Sequence, residues 1–416
     1  MNSPQKVRIA FFTDILTKDL DGAIKTMYQL IERIPEEQFE FLFFCGTPPN
    51  HEMKHRVVKV PAITLSFNCT YRVAIPFLAK EEITRELSDF NPDIIHISTP
   101  SFLGFFALNY ANKNHIPVLS VYHTHFISYI KYYLGLMPFL IKPAESIAKK
   151  LYRSFYNKCN LIYTPTMQMV TELKEMGISE KLLKVWQRGI DNQLFNPSKK
   201  DKSFLENITG NGLPCILFAS RLVWEKNIET LFNIYDEAEA QQLNVNFIVT
   251  GVGVAEQIAR KRMKKAIFLG FTDHSTLAKI FASSDIFLFP SVSETYGNVV
   301  VEAMACGCTP IIARGGGSQS LVMDGETGFL CEPNNAEEYI RKINTVLHDN
   351  LLKEKMKLAG LQYTSTLNWE TLANTYFKDI NSLARSYSCK NYLVPSYFDA
   401  VTLQFKTKVL SYLLQK

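Results

Sequence analysis

Over the first 190 or so residues the apolar positions come in continuous runs of four to seven, separated by stretches in which they recur at helical spacing. Runs at 7–12, 39–45, 57–61, 94–97, 117–121, 161–164 and 182–186 predict strands. The patterns between them predict helices over 22–33, 76–90, 102–113 and 166–176. A strand with one wet face alternates apolar and polar residues, whereas a strand covered on both faces does not. These runs do not alternate, so they predict a parallel sheet with helices on both sides.

Between 196 and 212 the chain turns polar, with Pro197 and glycines at 210 and 212, and reads as a linker. The pattern then restarts, with strands at 215–219, 246–250, 267–269, 286–289 and 309–312 and a helix over 227–240. The expected fold class is α/β: two doubly wound, Rossmann-like domains with a cleft between them. Residues 1–196 form the first and 197–366 the second, and a helix at about 367–386 crosses back to complete the first. Residues 387–416 are left as a tail without assigned structure. Ligands of such folds sit outside the carboxyl ends of the strands.

A length of 416 residues exceeds one ordinary core, in keeping with two domains. The 45 Lys and Arg against 40 Asp and Glu leave a net charge of +5, with no concentrated basic stripe. That argues against a nucleic-acid partner and suits an anionic substrate or an anionic membrane surface. None of the eight cysteines forms a CxxC pair; the nearest approach is Cys306-Gly307-Cys308. They read as small core thiols in a reducing compartment, and no metal or cofactor is expected. The opening MNSPQKVRIAFF has no apolar stretch of signal-peptide length. No run approaches the ~18 apolar residues of a membrane span. The expected location is cytoplasmic, in solution or peripheral on the inner face of the membrane.

The densest chemistry lies between Phe289 and Gly307: a buried strand, a polar loop holding Glu294, and an apolar helix starting near Gly297. Gly297, Asn298 and Val299 would present free backbone N–H groups at a helix N-terminus, a phosphate site. Glu294 can be read as a helix cap and Glu302 as a solvated face. But a solvated face does not read Val-Val-Val-Glu-Ala-Met-Ala, and a carboxylate in that company needs a hydroxyl or cation partner. A second cluster, Ala219-Ser-Arg221-Leu-Val-Trp-Glu-Lys226-Asn, follows the first strand of the second domain and faces the same cleft. Its cations are either a surface pair or a clamp for a phosphoryl leaving group.

Glu294 and Glu302 stand at the two ends of an E-x7-E motif, and this strand–loop–helix resembles the retaining glycosyltransferases of family 4, which have the GT-B fold. The Arg221–Lys226 segment is similar to that family's GRL-x2-EK-G. The resemblance covers residues 5–385 and is nearest in look to the sulfolipid synthases and the glycolipid mannosyl- and glucosyltransferases. It rests further on Asp21-Gly22, on the loop from Tyr122 to Phe126 with Tyr129, Tyr132 and Tyr133 downstream, and on Arg188-Gly189-Ile190-Asp191 ahead of Phe195-Asn196-Pro197. It implies that Glu294 holds hydroxyls of the transferred sugar, Glu302 the ribose, and the backbone at 297–299 the diphosphate, clamped also by Arg221 and Lys226. Thr250-Gly251-Val252-Gly253 is similar to the family's G-x-G turn under the nucleotide, although Val252 and Val254 replace its acidic residue and proline. Gly270-Phe271-Thr272 would set backbone against the base.

The first domain offers two loops to the cleft. One leads into Gly22, whose lack of a side chain permits close approach to a donor. Asp19 and Asp21 form a DxD, a metal signature of the other glycosyltransferase fold; Asp21 is read here as a helix cap. The other loop carries His123 and His125, whose i, i+2 spacing points them apart and disfavours a shared metal. His123 matches the family's active-site histidine, whose carbonyl or ring contacts the sugar, with His125 as fallback. Residues 132–141 are apolar and aromatic, and Lys142, Lys149, Lys150, Arg153 and Lys158 follow at helical spacing. They form either an interfacial element for anionic lipid or a core-packed hairpin with solvated lysines.

The expected function is transfer of a hexose, with retention, from a UDP- or GDP-sugar to a hydroxyl acceptor, a glycolipid or a cell-envelope glycan. The motif match sets no carboxylate in place as a covalent nucleophile, so a front-face route is expected. The rivals are a non-hydrolysing sugar-nucleotide epimerase, which shares the fold, and an inactive sugar-nucleotide-binding subunit.

Overall fold

The computed structural model describes residues 6–18, 22–65, 68–123, 126–134 and 137–393. Asp19, Asp21, His125 and the tail beyond 393 lie outside the described residues.

The first half runs β1 (Val7–Ile15), α1 (Gly22–Ile31), β2 (Phe39–Thr47), β3 (Arg56–Lys59), β4 (Ala62–Leu65), β5 (Asn68–Ala74), α2 (Lys80–Phe90), β6 (Ile94–Ile97), α3 (Phe102–Lys113), β7 (Val118–Val121), α4 (Phe126–Tyr133), α5 (Ile141–Tyr156), β8 (Leu161–Thr164), α6 (Met167–Glu175) and β9 (Leu183–Val185). Seven of these strands form one parallel sheet in the order β3-β2-β1-β6-β7-β8-β9. Separate apolar clusters cover its two faces, as the unalternating runs require. β1 runs beyond its apolar run because two buried polar residues extend it. Asp14 accepts hydrogen bonds from the Ala74 amide at 3.0 Å and the Thr99 hydroxyl at 3.2 Å. The Thr13 hydroxyl donates to the Ile15 carbonyl at 3.0 Å. The antiparallel pair β4–β5 was absent from the sequence expectation.

The polar stretch after 196 is ordered. It contains α7 (Lys202–Thr209), started by Asp201, which accepts from the Phe204 amide, and closed by Gly210 in the left-handed region. Leu205 carries this helix into the second core. The second half continues with β10 (Cys215–Ala219), α8 (Ile228–Ala240), β11 (Asn246–Thr250), α9 (Glu256–Arg262), β12 (Ile267–Gly270), α10 (His274–Ser283), β13 (Ile286–Phe289), α11 (Asn298–Ala305), β14 (Thr309–Ala313), β15 (Phe329–Cys331), α12 (Ala336–His348) and α13 (Asn350–Ser365). Its six parallel strands are ordered β12-β11-β10-β13-β14-β15. Both sheets reverse strand order once, between β1 and β6 and between β10 and β13. Loops that leave the carboxyl ends of such a pair diverge and open a crevice.

The last helix, α14 (Trp369–Leu393), returns to the first half and continues seven residues into the stretch read as tail. Its Tyr376, Phe377 and Ile380 are buried in the first half's core. The Tyr376 hydroxyl lies 2.6 Å from Nδ1 of the buried His96, and Asp379 binds both Tyr163 and Lys184. The six described cysteines are buried and unbridged. No helix among the described residues is long and apolar enough to cross a membrane.

Candidate active site

The loops after β10 and β13 leave the sheet at its reversal point, and Lys226 and Glu294 meet between them. The Lys226 ammonium donates to Glu294 Oε1, and both groups are largely out of water. The Ser291 hydroxyl donates to the same oxygen at 3.2 Å. Burial alone would push the Glu294 carboxyl up. The Lys226 ammonium, the Ser291 hydroxyl and Arg221 outweigh it and hold the group below its ordinary value. Glu294 is therefore an ionised acceptor at neutral pH. Arg221 is mostly exposed, its guanidinium 3.8 Å from Glu225, and can reach a ligand in the crevice.

The Gly251–Gly253 turn packs directly against the Arg221 loop. A Cβ on Gly251, whose φ is +119°, would lie 1.9 Å from the Ser220 carbonyl oxygen, and one on Gly253 would lie 2.3 Å from that of Leu222. Only glycine lets the two backbones approach so closely. The Gly251 amide donates to Gly270 O at 2.7 Å, and the Thr272 hydroxyl bonds that of Thr250. The expected base-side residues are thus gathered at one place. There Phe271 is 81% exposed, beside the exposed Val252 and Val254.

Gly297 stands at the N-cap of α11 without side-chain capping. The first-turn amides of the helix, including those of Asn298 and Val299, have no intrahelical acceptor. Glu302 follows one turn on. Burial raises its carboxyl to about 7, and Lys25 pulls in the opposite direction.

The first half meets this site along Gly22, His123 and Arg188. The His123 carbonyl accepts from the Thr295 hydroxyl at 2.8 Å and from Arg188 Nη2 at 3.5 Å. Its ring is buried, and Nε2 has no hydrogen-bond partner among the described residues. Burial, Arg188 and His96 hold the imidazole well below its ordinary value, so it is neutral. Arg188 also donates to Asn298 Oδ1 at 3.3 Å and lies 5.6 Å from the centre of the Tyr296 ring. Thus one network joins both halves to the α11 N-terminus.

Matches to known families agree with that geometry. The family described as "Glycosyl transferases group 1" matches residues 200–362, and "Glycosyltransferase Family 4" matches residues 20–194. The chain belongs to these glycosyltransferases. It is similar to sulfoquinovosyl transferase of Arabidopsis thaliana, with 31% identity over 315 residues, 73% of this chain and 60% of that protein. The chain therefore spans less than two thirds of the length of that relative. GDP-mannose-dependent alpha-mannosyltransferase of Corynebacterium glutamicum is 23% identical over 91% of this chain and 90% of its own. Alpha-monoglucosyldiacylglycerol synthase of Streptococcus pneumoniae is 26% identical over 74% and 71%. Sucrose-phosphate synthase from Thermosynechococcus elongatus shares the fold with a TM-score of 0.74 at 19% identity, over 92% of this chain and 100% of that one. Anabaena HepE in complex with UDP does so with 0.70 at 20%, over 90% and 100%. The GT-B fold and the glycosyltransferase family expected from the motifs are both met.

In this glycosyltransferase, sequence reasoning passed over several residues at the site. Thr295 and Tyr296 lie inside the E-x7-E segment and bind His123 O and Arg188 O. The run Gly315-Gly316-Gly317 was a legible signal, three glycines after a strand. A Cβ on Gly317 would lie 1.9 Å from Thr295 O, so this loop is laid directly on the Glu294 loop. Ser291 carried no signal beyond being a hydroxyl near a strand end.

Proposed function

We propose that this glycosyltransferase moves a hexose from a UDP- or GDP-sugar to a hydroxyl of a glycolipid or a cell-envelope glycan, with retention at the anomeric carbon. The reading is carried by the buried Lys226–Glu294 pair at the reversal point of the second sheet. Lys226, Arg221 and the first-turn amides at 297–299 take the diphosphate, where negative charge grows as the glycosidic bond breaks. Glu294 holds sugar hydroxyls, and His123 Nε2, without a hydrogen-bond partner among the described residues, faces the same sugar. Glu302 takes the ribose. The turn of Gly251 and Gly253 lies under the nucleotide, and Phe271 and Thr272 flank the base. The departing phosphate oxygen accepts the acceptor's proton on the face it leaves, through an oxocarbenium-like state, and this gives retention. The names of the sulfoquinovosyl and monoglucosyldiacylglycerol relatives favour a lipid acceptor.

A lipid acceptor requires the enzyme to work at a membrane surface, here the cytoplasmic face. Met137, Phe139 and Leu140 are exposed, Phe139 by 75%, and so are Ile147 and Leu151 on α5. A depression of about 330 Å³ beside them is lined by Lys142, Lys149, Lys150 and Arg153 with Glu145. Apolar side chains beside a basic face match an interfacial element.

The test is incubation with UDP- and GDP-hexoses, with and without diacylglycerol or glycan acceptors, followed by NMR of the products. Slow hydrolysis of one donor alone and faster transfer with retained configuration are expected. An epimerised sugar nucleotide, or no turnover with any donor, would reject the reading.

A further inference from the structure

The chain first leaves the first half just after β9, and the residues around Arg188 are held on both sides there. The Trp186 amide donates to Thr164 O at 2.8 Å, and its indole Nε1 donates to Leu372 O at 3.0 Å. A Cβ on Gly189 would lie 2.6 Å from the Trp369 ring, and the Ile190 amide donates to Leu367 O at 2.9 Å. The Arg188 carbonyl itself accepts from the Tyr296 hydroxyl at 2.9 Å. The side chain therefore starts from a fixed point of backbone, which both halves pin.

From there the buried guanidinium reaches the place where α1 and α11 begin. Its Nη1 donates to Asn298 Oδ1 at 3.3 Å, in the first turn of α11, and lies 3.5 Å from where a Cβ on Gly22 would stand, in the first turn of α1. Asn298 Nδ2 lies 3.0 Å from that same point. Nη2 donates to His123 O at 3.5 Å, and the Tyr296 ring centre is 5.6 Å away. Both acceptors are neutral oxygens, and both contacts are longer than the roughly 2.7–2.9 Å of an arginine on an anionic oxygen. A neutral amide side chain could bridge two such oxygens. A planar, permanently charged fork is matched instead to a pair of phosphate oxygens, and the N-terminal ends of both helices add positive potential at the same place.

We propose that Arg188 is a third cation of the diphosphate site: it joins Lys226 and Arg221, which the second half supplies, and takes the phosphate joined to the sugar. The inference rests on the diphosphate role of Lys226 and the amides at 297–299 proposed above. The sugar-side phosphate is assigned because the guanidinium touches His123, the residue read there as facing the sugar. A nucleoside monophosphate lacks that phosphate and does not reach the guanidinium, so this arginine makes the cleft count phosphates.

Calorimetric titration with UDP, UMP, GDP and GMP tests this on the wild type, Arg188→Gln, Arg188→Lys and Lys226→Ala, with melting curves to show that each variant is folded. Arg188→Gln is expected to bind the preferred diphosphate about tenfold or more weakly and its monophosphate within about twofold of wild type, as befits one lost bond to a charged group. Arg188→Lys falls between, because it keeps the charge and loses the fork. An Arg188→Gln that weakens both nucleotides alike, or neither, makes the arginine a tether between the halves and overturns the inference. If Arg188→Gln does not fold, Arg188→Lys decides: a wild-type preference for diphosphate over monophosphate overturns it equally. Lys226→Ala should also lose that preference. If it does so while both Arg188 variants keep theirs, the inference alone fails; if Lys226→Ala keeps it, the diphosphate assignment falls, and this inference with it.

Discussion

The Thr295 hydroxyl donates to the His123 carbonyl at 2.8 Å, tying the loop that holds Glu294 in the second half to the end of β7 in the first. Family likeness offered either the carbonyl or the ring of His123 for sugar contact. The carbonyl is already used, and ring Nε2 has no hydrogen-bond partner among the described residues. Thr295→Val leaves a buried carbonyl short of a donor, a loss of about 1–3 kcal/mol. It should lower kcat/KM roughly fivefold or more, mainly through KM, because closure of the cleft weakens. An unchanged KM would show that the contact plays no part in closure.

Lys226→Ala should lower kcat/KM by at least about 10²-fold, since a lost charge-assisted contact to the leaving group costs ~2.7 kcal/mol or more. It also strands the buried Glu294 carboxylate, so the variant should melt earlier. Adding Glu294→Gln should restore the melting temperature and leave activity low. Activity within about threefold of wild type in Lys226→Ala would remove the lysine from the diphosphate site.

Glu302 gives a pH signature in the unliganded protein. Its folded value, about 7, lies above its ordinary one, so the folded state holds the proton longer than the unfolded chain. Stability is then highest at low pH in this respect and falls as pH rises through 7. Glu302→Gln cannot ionise. It should match the wild type near pH 4.5 and exceed it at pH 8 by on the order of 2 kcal/mol. Urea melts at the two pH values measure the difference. Equal stability at pH 8 would mean that the carboxyl is not shielded as described.

Gly317→Ala drives a Cβ toward Thr295 O, at 1.9 Å in the present backbone. The loop must move, and the Glu294 loop bonded to it moves too, since the Gly317 amide donates to Glu294 O at 2.6 Å. Activity should fall at least about tenfold while circular dichroism stays near that of the wild type. Full activity would show that the glycine run does not position Glu294.

The parallel sheets were legible because buried strands leave uninterrupted apolar runs, as at 94–97 and 286–289. β1 was read too short because Thr13 and Asp14 look like a strand end until Ala74 and Thr99 provide partners from distant positions. The stretch after 196 looked like a linker because α7 buries only Leu205 fully and is otherwise polar. Within the site, Lys226, Glu294 and Glu302 announce themselves by charge in fixed spacing. Lys25 does not: it lies 2.6 Å from His274, 249 positions away, and only the fold brings the two together.

If the acceptor is a lipid, its hydroxyl lies at headgroup level and the enzyme must sit there too. Phe139, Met137 and Leu140 supply apolar insertion, and Lys142, Lys149, Lys150 and Arg153 all stand exposed on the adjoining helix. Each adds about 1 kcal/mol of attraction to an anionic leaflet, reduced where a side chain faces sideways or, like its neighbour Glu145, repels. Several kcal/mol remain, enough to concentrate the enzyme at the surface without any span. It should sediment with anionic vesicles at low salt, stay in solution with neutral ones, and be released by high salt, which screens such contacts. Changing Lys149, Lys150 and Arg153 to Glu should abolish sedimentation while activity on a soluble short-chain acceptor persists, because none of the three is among the donor-site residues. A wild-type protein that remains in the supernatant with anionic vesicles would remove the membrane from the mechanism and make a soluble sugar or a growing glycan the better acceptor.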